Sequence, residues 1–140
     1  MEARAIALSQ ARGRVAVGAA LLLAPGWAGR RWIGEPAGDP AVKVITRALG
    51  VRDLAIGLGA VIALDRGAPA RGWFEAAALC DTVDLVATLL GGKAIPPGAR
   101  RAVVAIAGGS AIACAAIAQA VDEPPVADVH APEAELTGHH

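Results

Sequence analysis

Residues 102–121 read AVVAIAGGSAIACAAIAQAV, twenty positions without a charge, in which Ser110 and Gln119 are the only strongly polar side chains. At 1.5 Å per residue such a helix is about 30 Å long, the thickness of a bilayer's hydrocarbon core. Pro96-Pro97-Gly98 and Arg100-Arg101 precede it and Asp122-Glu123-Pro124-Pro125 follow, so helix breakers and charge mark both ends. The stretch has no polar face to show water, which places a membrane-embedded bundle ahead of a soluble one.

Three further apolar stretches lie upstream. Residues 45–64 and 73–90 are of similar length, but the first carries Arg47, Arg52 and Asp53 and the second Asp81 and Asp84. A central Asp or Arg costs about 2.5–3.5 kcal/mol on insertion scales, so these two are expected to enter together as a hairpin. The link 65–71 is short and polar and contains Gly and Pro, as an antiparallel turn requires. The first stretch offers only residues 15–29 between Arg14 and Arg30, about 22 Å of helix. A full crossing there takes in Arg14 or reaches Arg30-Arg31, with the arginine expected to snorkel to the interface. A cleaved signal peptide competes, since Arg12 and Arg14 precede the apolar run 15–24, but no A-x-A site follows and Pro25-Gly26 reads as a helix end.

The expected fold is therefore all-α, a four-helix transmembrane bundle forming one domain over 1–121, with helices near 8–28, 43–64, 72–91 and 100–121. It is expected to be multi-pass in the cell membrane, with residues 122–140 a disordered polar tail. Connectors one and three and their flanks hold more basic residues than the opposite side, which by the positive-inside bias puts both termini outside. Trp27, Trp32 and Trp73 lie near stretch ends, where interfacial tryptophans belong.

Composition agrees with a membrane setting. Of 140 residues, 55% are hydrophobic and the mean hydropathy is +0.50. Net charge is zero and the 13 basic residues are scattered, so no face has the basic density of a nucleic-acid binder. Cys80 and Cys114 have no C-x-x-C partner and read as structural thiols. His130, His139 and His140 lack ligand spacing, so no metal site and no cofactor is expected. With no histidine before position 130, His-based triads are excluded from the core, and no P-loop, G-x-G-x-x-G, H-E-x-x-H or G-x-S-x-G pattern occurs.

Helical spacing then groups the residues that carry chemistry. Gly50, Asp53, Gly57 and Ala60 share one face, a small-residue seam on which another helix can pack closely. Ala77, Asp81, Asp84 and Thr88 form a polar stripe that must face protein or water. Gly109, Ala113 and Ala116 make a second small seam, beside Ser110 and Cys114. Arg52 and Asp84 stand sixteen residues on either side of Ala68, so an antiparallel hairpin sets them at one depth and predicts an ion pair. Asp53 and Asp81 lie within about one turn of that depth. One arginine then faces three aspartates, unless Arg47 or Arg14 joins them.

The run Arg47-Ala-Leu-Gly-Val-Arg52-Asp53-Leu-Ala-Ile-Gly57, followed by Asp81-x-x-Asp84, resembles the R-x-L-G-x-R-D-x-x-x-G pattern of a family of small bacterial four-helix integral membrane proteins, a domain of unknown function. The resemblance spans residues 12–121. It implies the membrane topology and no chemistry.

Intramembrane ionisable groups commonly mark binding sites or pathways, so Arg47, Arg52, Asp53, Asp81 and Asp84 are the candidate site residues. They fit a pocket that binds or converts a lipophilic small molecule, with an Asp as proton donor or acceptor and Arg52 as orienting group. A proton- or ion-coupled transport protomer is the alternative, as is a non-catalytic membrane subunit whose charges only fix helix register. The catalytic residues, if there are any, are unknown from sequence. The expected partners are membrane lipid, a lipophilic ligand and a second copy of the chain. Gly50, Gly57, Gly109 and Ala113 are the expected helix-packing positions.

Overall fold

Pro25 divides the first apolar stretch in two. Proline has no N–H to donate and its ring crowds the preceding turn, so the helix ends before it and a new one starts on it. The computed structural model describes residues 2–122, which form α1 (Glu2–Leu23), α2 (Pro25–Ile33), α3 (Pro40–Asp65), α4 (Arg71–Leu90) and α5 (Pro97–Ala120), with no strand among them. Short 3-10 turns occupy Glu35–Gly38 and Gly92–Ala94. The single helix expected over 8–28 is thus corrected to two. Its early start follows from residues 2–12, rich in the strong helix formers Ala, Leu, Glu, Gln and Arg.

Local chemistry sets the other ends. Asp39 caps α3, its Oδ1 accepting from the backbone N–H of Ala41 at 2.7 Å, with Pro40 at the first helical position. Gly67, at φ 63°, makes the turn from α3 towards α4. The start of α4 is closed from a distance: the Asp122 carboxylate accepts from the N–H groups of Ala70 and Arg71, each at 2.9 Å. The first residue assigned to the disordered tail is therefore docked, because a carboxylate satisfies the free N–H groups of a helix start. The rest of that tail, with its three histidines, lies outside the described residues.

Successive long helices run antiparallel. The closest packing is within two pairs, α1 with α3 and α4 with α5. The first pair meets on glycine: a Cβ at Gly18 would lie 2.6 Å from Leu54 N, one at Gly50 2.7 Å from Leu22 N, and one at Gly57 2.9 Å from the Ala11 carbonyl. Gly50 and Gly57 therefore pack as their spacing predicts. Gly109 does not, since a Cβ there would meet nothing within 4 Å. The α5 face that packs is Ala107, Cys114, Ile117 and Ala118, which corrects the expected seam of Gly109 and Ala113.

The buried positions repeat at alternating steps of three and four. They are Ala7, Ala11, Arg14, Gly18 and Leu21 on α1, and Thr46, Gly50, Asp53, Gly57, Ala60 and Leu64 on α3, where Ala63 is buried beside the row. On α4 they are Phe74, Ala77, Asp81 and Thr88, with half-buried Asp84 in the same row. This is the 3.5-residue seam of helices that pack side by side. Below the charges it is apolar: Ala7, Ala60, Phe74, Ala77, Cys114 and Ala118 form one buried cluster. Large apolar side chains are exposed too, Leu79 by 66% and Ile112 by 74%.

A Cβ branch in the α1–α3 seam must push two backbones apart. Gly18→Val and Gly50→Val are each expected to lose about 1–3 kcal/mol of stability. Gly13→Ala, where a Cβ meets nothing within 4 Å, should be close to neutral or better. Thermal unfolding of the purified variants under one set of conditions checks the ranking.

Candidate functional site

The middle layer of the bundle is ionic. On α1, Arg14 donates from Nη1 to Asp53 Oδ1 of α3 at 3.0 Å and from Nη2 to Asp81 Oδ2 of α4. On α3, Arg52 forks onto Asp84 of α4, Nη2 to Oδ2 at 2.7 Å and Nη1 to Oδ1 at 3.2 Å. Its Nη2 also donates to Asp53 Oδ1 at 3.1 Å. The result is an unbroken chain, Asp81–Arg14–Asp53–Arg52–Asp84, that crosses three helices. Arg14, Asp53 and Asp81 are buried, while Arg52 and Asp84 are partly exposed. Bidentate Arg–carboxylate geometry fixes both distance and orientation, so these contacts set how α3 and α4 face each other.

α5 joins through neutral groups. Gln10 Nε2 donates to Ser110 Oγ at 2.8 Å, and Arg14 Nη2 lies 3.5 Å from the same oxygen. α2 joins from the end of the bundle, where Trp32 Nε1 donates to Thr88 Oγ1 at 3.1 Å and the Thr88 hydroxyl donates to the Asp84 carbonyl at 2.7 Å. Arg31 stacks on Trp27, its guanidinium carbon 3.7 Å from the ring centre.

Above the ionic layer, α1 and α5 part. Between them lies a cleft of about 960 Å³, with Arg14, Asp53, Asp81 and Asp84 at its floor. Its walls are Val17, Ala20 and Leu21 of α1 and Val103, Ile106 and Ala107 of α5; Trp27, Arg31 and Trp32 of α2 close one end. That is the size of a small-molecule site, and apolar walls with a few convergent polar groups are its usual lining. Asp53 Oδ2 and Asp81 Oδ1 accept no hydrogen bond from any described residue. Among the described residues no fully buried side-chain oxygen or nitrogen lacks a partner, so both oxygens keep some exposure, and both residues line the cleft.

The structure brings together four of the five residues singled out from sequence. The Arg52–Asp84 pair is present as the hairpin depth predicts. Arg47 is the exception: it is exposed and takes part in none of these ion pairs. Five residues turn a helix through about 140°, which carries Arg47 off the face that Arg52 serves. Arg14 is the second cation, and it points inward rather than snorkelling. Gly109 and Ala113, expected as packing positions, line the cleft instead. Gln10, Ser110 and Trp32 are partners that residue type alone does not single out. The signal for Arg14 is its row, Ala7-Ala11-Arg14-Gly18-Leu21, which repeats the three-four spacing of α3. The chain matches no protein-family model, no curated protein and no solved structure. The reading of the site therefore rests on its own geometry.

Removing one member of a buried ion chain leaves its partners uncompensated. Arg14→Met should cost about 3–5 kcal/mol, by stranding Asp53 and Asp81, whereas Arg47→Met should cost little. The joint Arg52→Met/Asp84→Leu replacement should recover much of the loss caused by Arg52→Met alone, because it removes both charges of one pair. Denaturation midpoints of the four proteins test this order.

Proposed function

We propose that this chain is a multi-pass membrane protein whose cleft between α1 and α5 holds a lipophilic small molecule against the ionic floor. The observation that carries the reading is the juxtaposition of apolar walls and two free carboxylate oxygens in one cleft of drug-molecule size.

The membrane setting is supported by where polarity falls. The charges of the ionic layer lie inside and large apolar side chains outside: Ile6, Leu58, Leu79, Val83 and Ile112 are all exposed, spread over the four long helices. Water would disfavour such a surface and acyl chains would not. Two helices, Glu2–Leu23 and Pro97–Ala120, are long and apolar enough to cross a membrane. α3 and α4 are also long enough, and in this reading they cross because the ionic chain neutralises most of their charge internally. α2, with Trp27, Arg30, Arg31 and Trp32, then lies at one interface, where such residues are at home.

In that setting the gap between α1 and α5 opens sideways to lipid, so a hydrophobic molecule reaches the floor without crossing water. A conducting path is less well supported. The polar chain runs from Gln10 through the ionic layer to Trp32, but below it Phe74, Ala77, Ala60 and Cys114 pack the bundle and leave a space of only about 10 Å³. Access is one-sided. Register locking and binding also fall to different atoms: the paired oxygens hold the helices, and the free ones can accept a hydrogen bond or a proton from a bound molecule.

Purified wild-type protein should retain a small lipophile in native mass spectrometry, and Gly109→Trp, which fills the cleft without touching a charge, should lose it. Identical spectra from two equally stable proteins would remove the binding reading. Alkaline carbonate washing of expressing cells should leave the protein in the membrane pellet, and release into the supernatant would remove the membrane reading.

A further inference from the structure

The charge of the floor narrows what the cleft can take. Three aspartates meet two arginines, so the layer carries one uncompensated negative charge in its fully ionised form. Arg52 stands behind the floor and does not line the cleft, whereas all three aspartates do. Among the described residues the only cation at the floor is Arg14, and both of its terminal nitrogens are already committed to carboxylates. What remains open is acceptor: Asp53 Oδ2 and Asp81 Oδ1.

We infer that the cleft accepts a lipophilic monocation bearing N–H groups, a protonated amine, with its nitrogen on the free oxygens of Asp53 and Asp81 and its apolar body along Val17, Val103 and Ile106. This inference rests on the membrane-pocket reading above. A cation of this kind supplies both the missing charge and the missing donors, and burying the layer without it leaves a charge unpaired in a medium of low dielectric constant. An anion meets two bare carboxylate oxygens and an arginine with its terminal nitrogens already engaged. A metal ion is also a poor fit, since among the described residues no group of three His, Cys, Asp or Glu side chains is arranged to hold one. The cleft is moreover some thirty times the roughly 30 Å³ that a water occupies in the liquid, and apart from Gln10 and Ser110, which are bonded to each other, its α1 and α5 walls above the floor offer carbon. Arg31 stays at the far end, already stacked on Trp27.

Dodecylamine, dodecanol and dodecanoate share one chain and differ in head charge. Each is titrated into the full-length protein in nanodiscs of zwitterionic lipid, with empty nanodiscs correcting for partitioning, and occupancy is read by native mass spectrometry and by the fluorescence of Trp27 and Trp32. The amine should bind about tenfold or more tightly than either of the others, the difference expected of a hydrogen bond to a charged group. Gly109→Trp should abolish its saturable binding, and Asp81→Asn should shrink its preference over the alcohol. If Asp81→Asn does not fold, the wild-type preference and the Gly109→Trp loss decide the matter. Alcohol or dodecanoate binding as tightly as the amine, and lost in Gly109→Trp, would overturn the cation inference and leave the pocket standing. Saturable amine binding that survives Gly109→Trp would place the cation elsewhere and overturn it as well. Binding of none of the three above empty nanodiscs would overturn both.

Discussion

Arg14 is the side chain on which the arrangement depends. The bundle consists of two tightly packed pairs, α1 with α3 and α4 with α5, and Arg14 reaches from the first pair to the second by bridging Asp53 and Asp81. A side chain can do this only if its own helix comes close, and Gly18, Gly50 and Gly57 let α1 lie backbone against backbone on α3. The glycine seam and the ion chain are thus one device. The seam sets the depth of α1, and that depth delivers the guanidinium to the layer where both carboxylates wait.

The same device explains why a cleft exists. α1 is drawn onto α3 and α5 onto α4, so the interface between α1 and α5 is bridged where Gln10 meets Ser110, is packed from Cys114 down, and stays open above. Small residues on α5 enlarge the gap. Gly109 and Ala113 would have allowed a close helix crossing, yet the helix that could have used them is held on the other side by the glycines of α3. A packing motif without a partner becomes the wall of a cavity.

Much of this was legible from residues alone. The α3–α4 hairpin could be read because its turn, residues 65–71, fixes a point from which depth can be counted, and Arg52 and Asp84 are equally far from it. The face of α3 could be read because three small residues and Asp53 share one spacing. The first stretch was harder. Its uncharged run of fifteen residues invites an account in which Arg14 sits at an edge, when the useful signal was the three-four row that puts Arg14 between Ala11 and Gly18. The docking of Asp122 was not legible, since its partners, the N–H groups of Ala70 and Arg71, are about fifty residues away. α2 was half legible: Pro25 announced a helix end, but nothing in the sequence said that Trp32 would return to Thr88.

The asymmetry of the polar network gives the site its direction. Upward from the ionic layer, polarity continues through Asp84 and Thr88 to the indole of Trp32, so the cleft is coupled to the short helix that closes it. Downward, the next layer is Phe74, Ala77 and Cys114, all of them almost wholly buried. The aspartates therefore have packed carbon beneath them, apolar walls broken by Gln10 and Ser110 at their sides, and a tryptophan-bearing helix at the far end. The cleft opens through the gap between α1 and α5 and is closed by α2 at that end. It has no route through the packed half, because opening one would separate the helices that Arg14 and the glycine seam hold together.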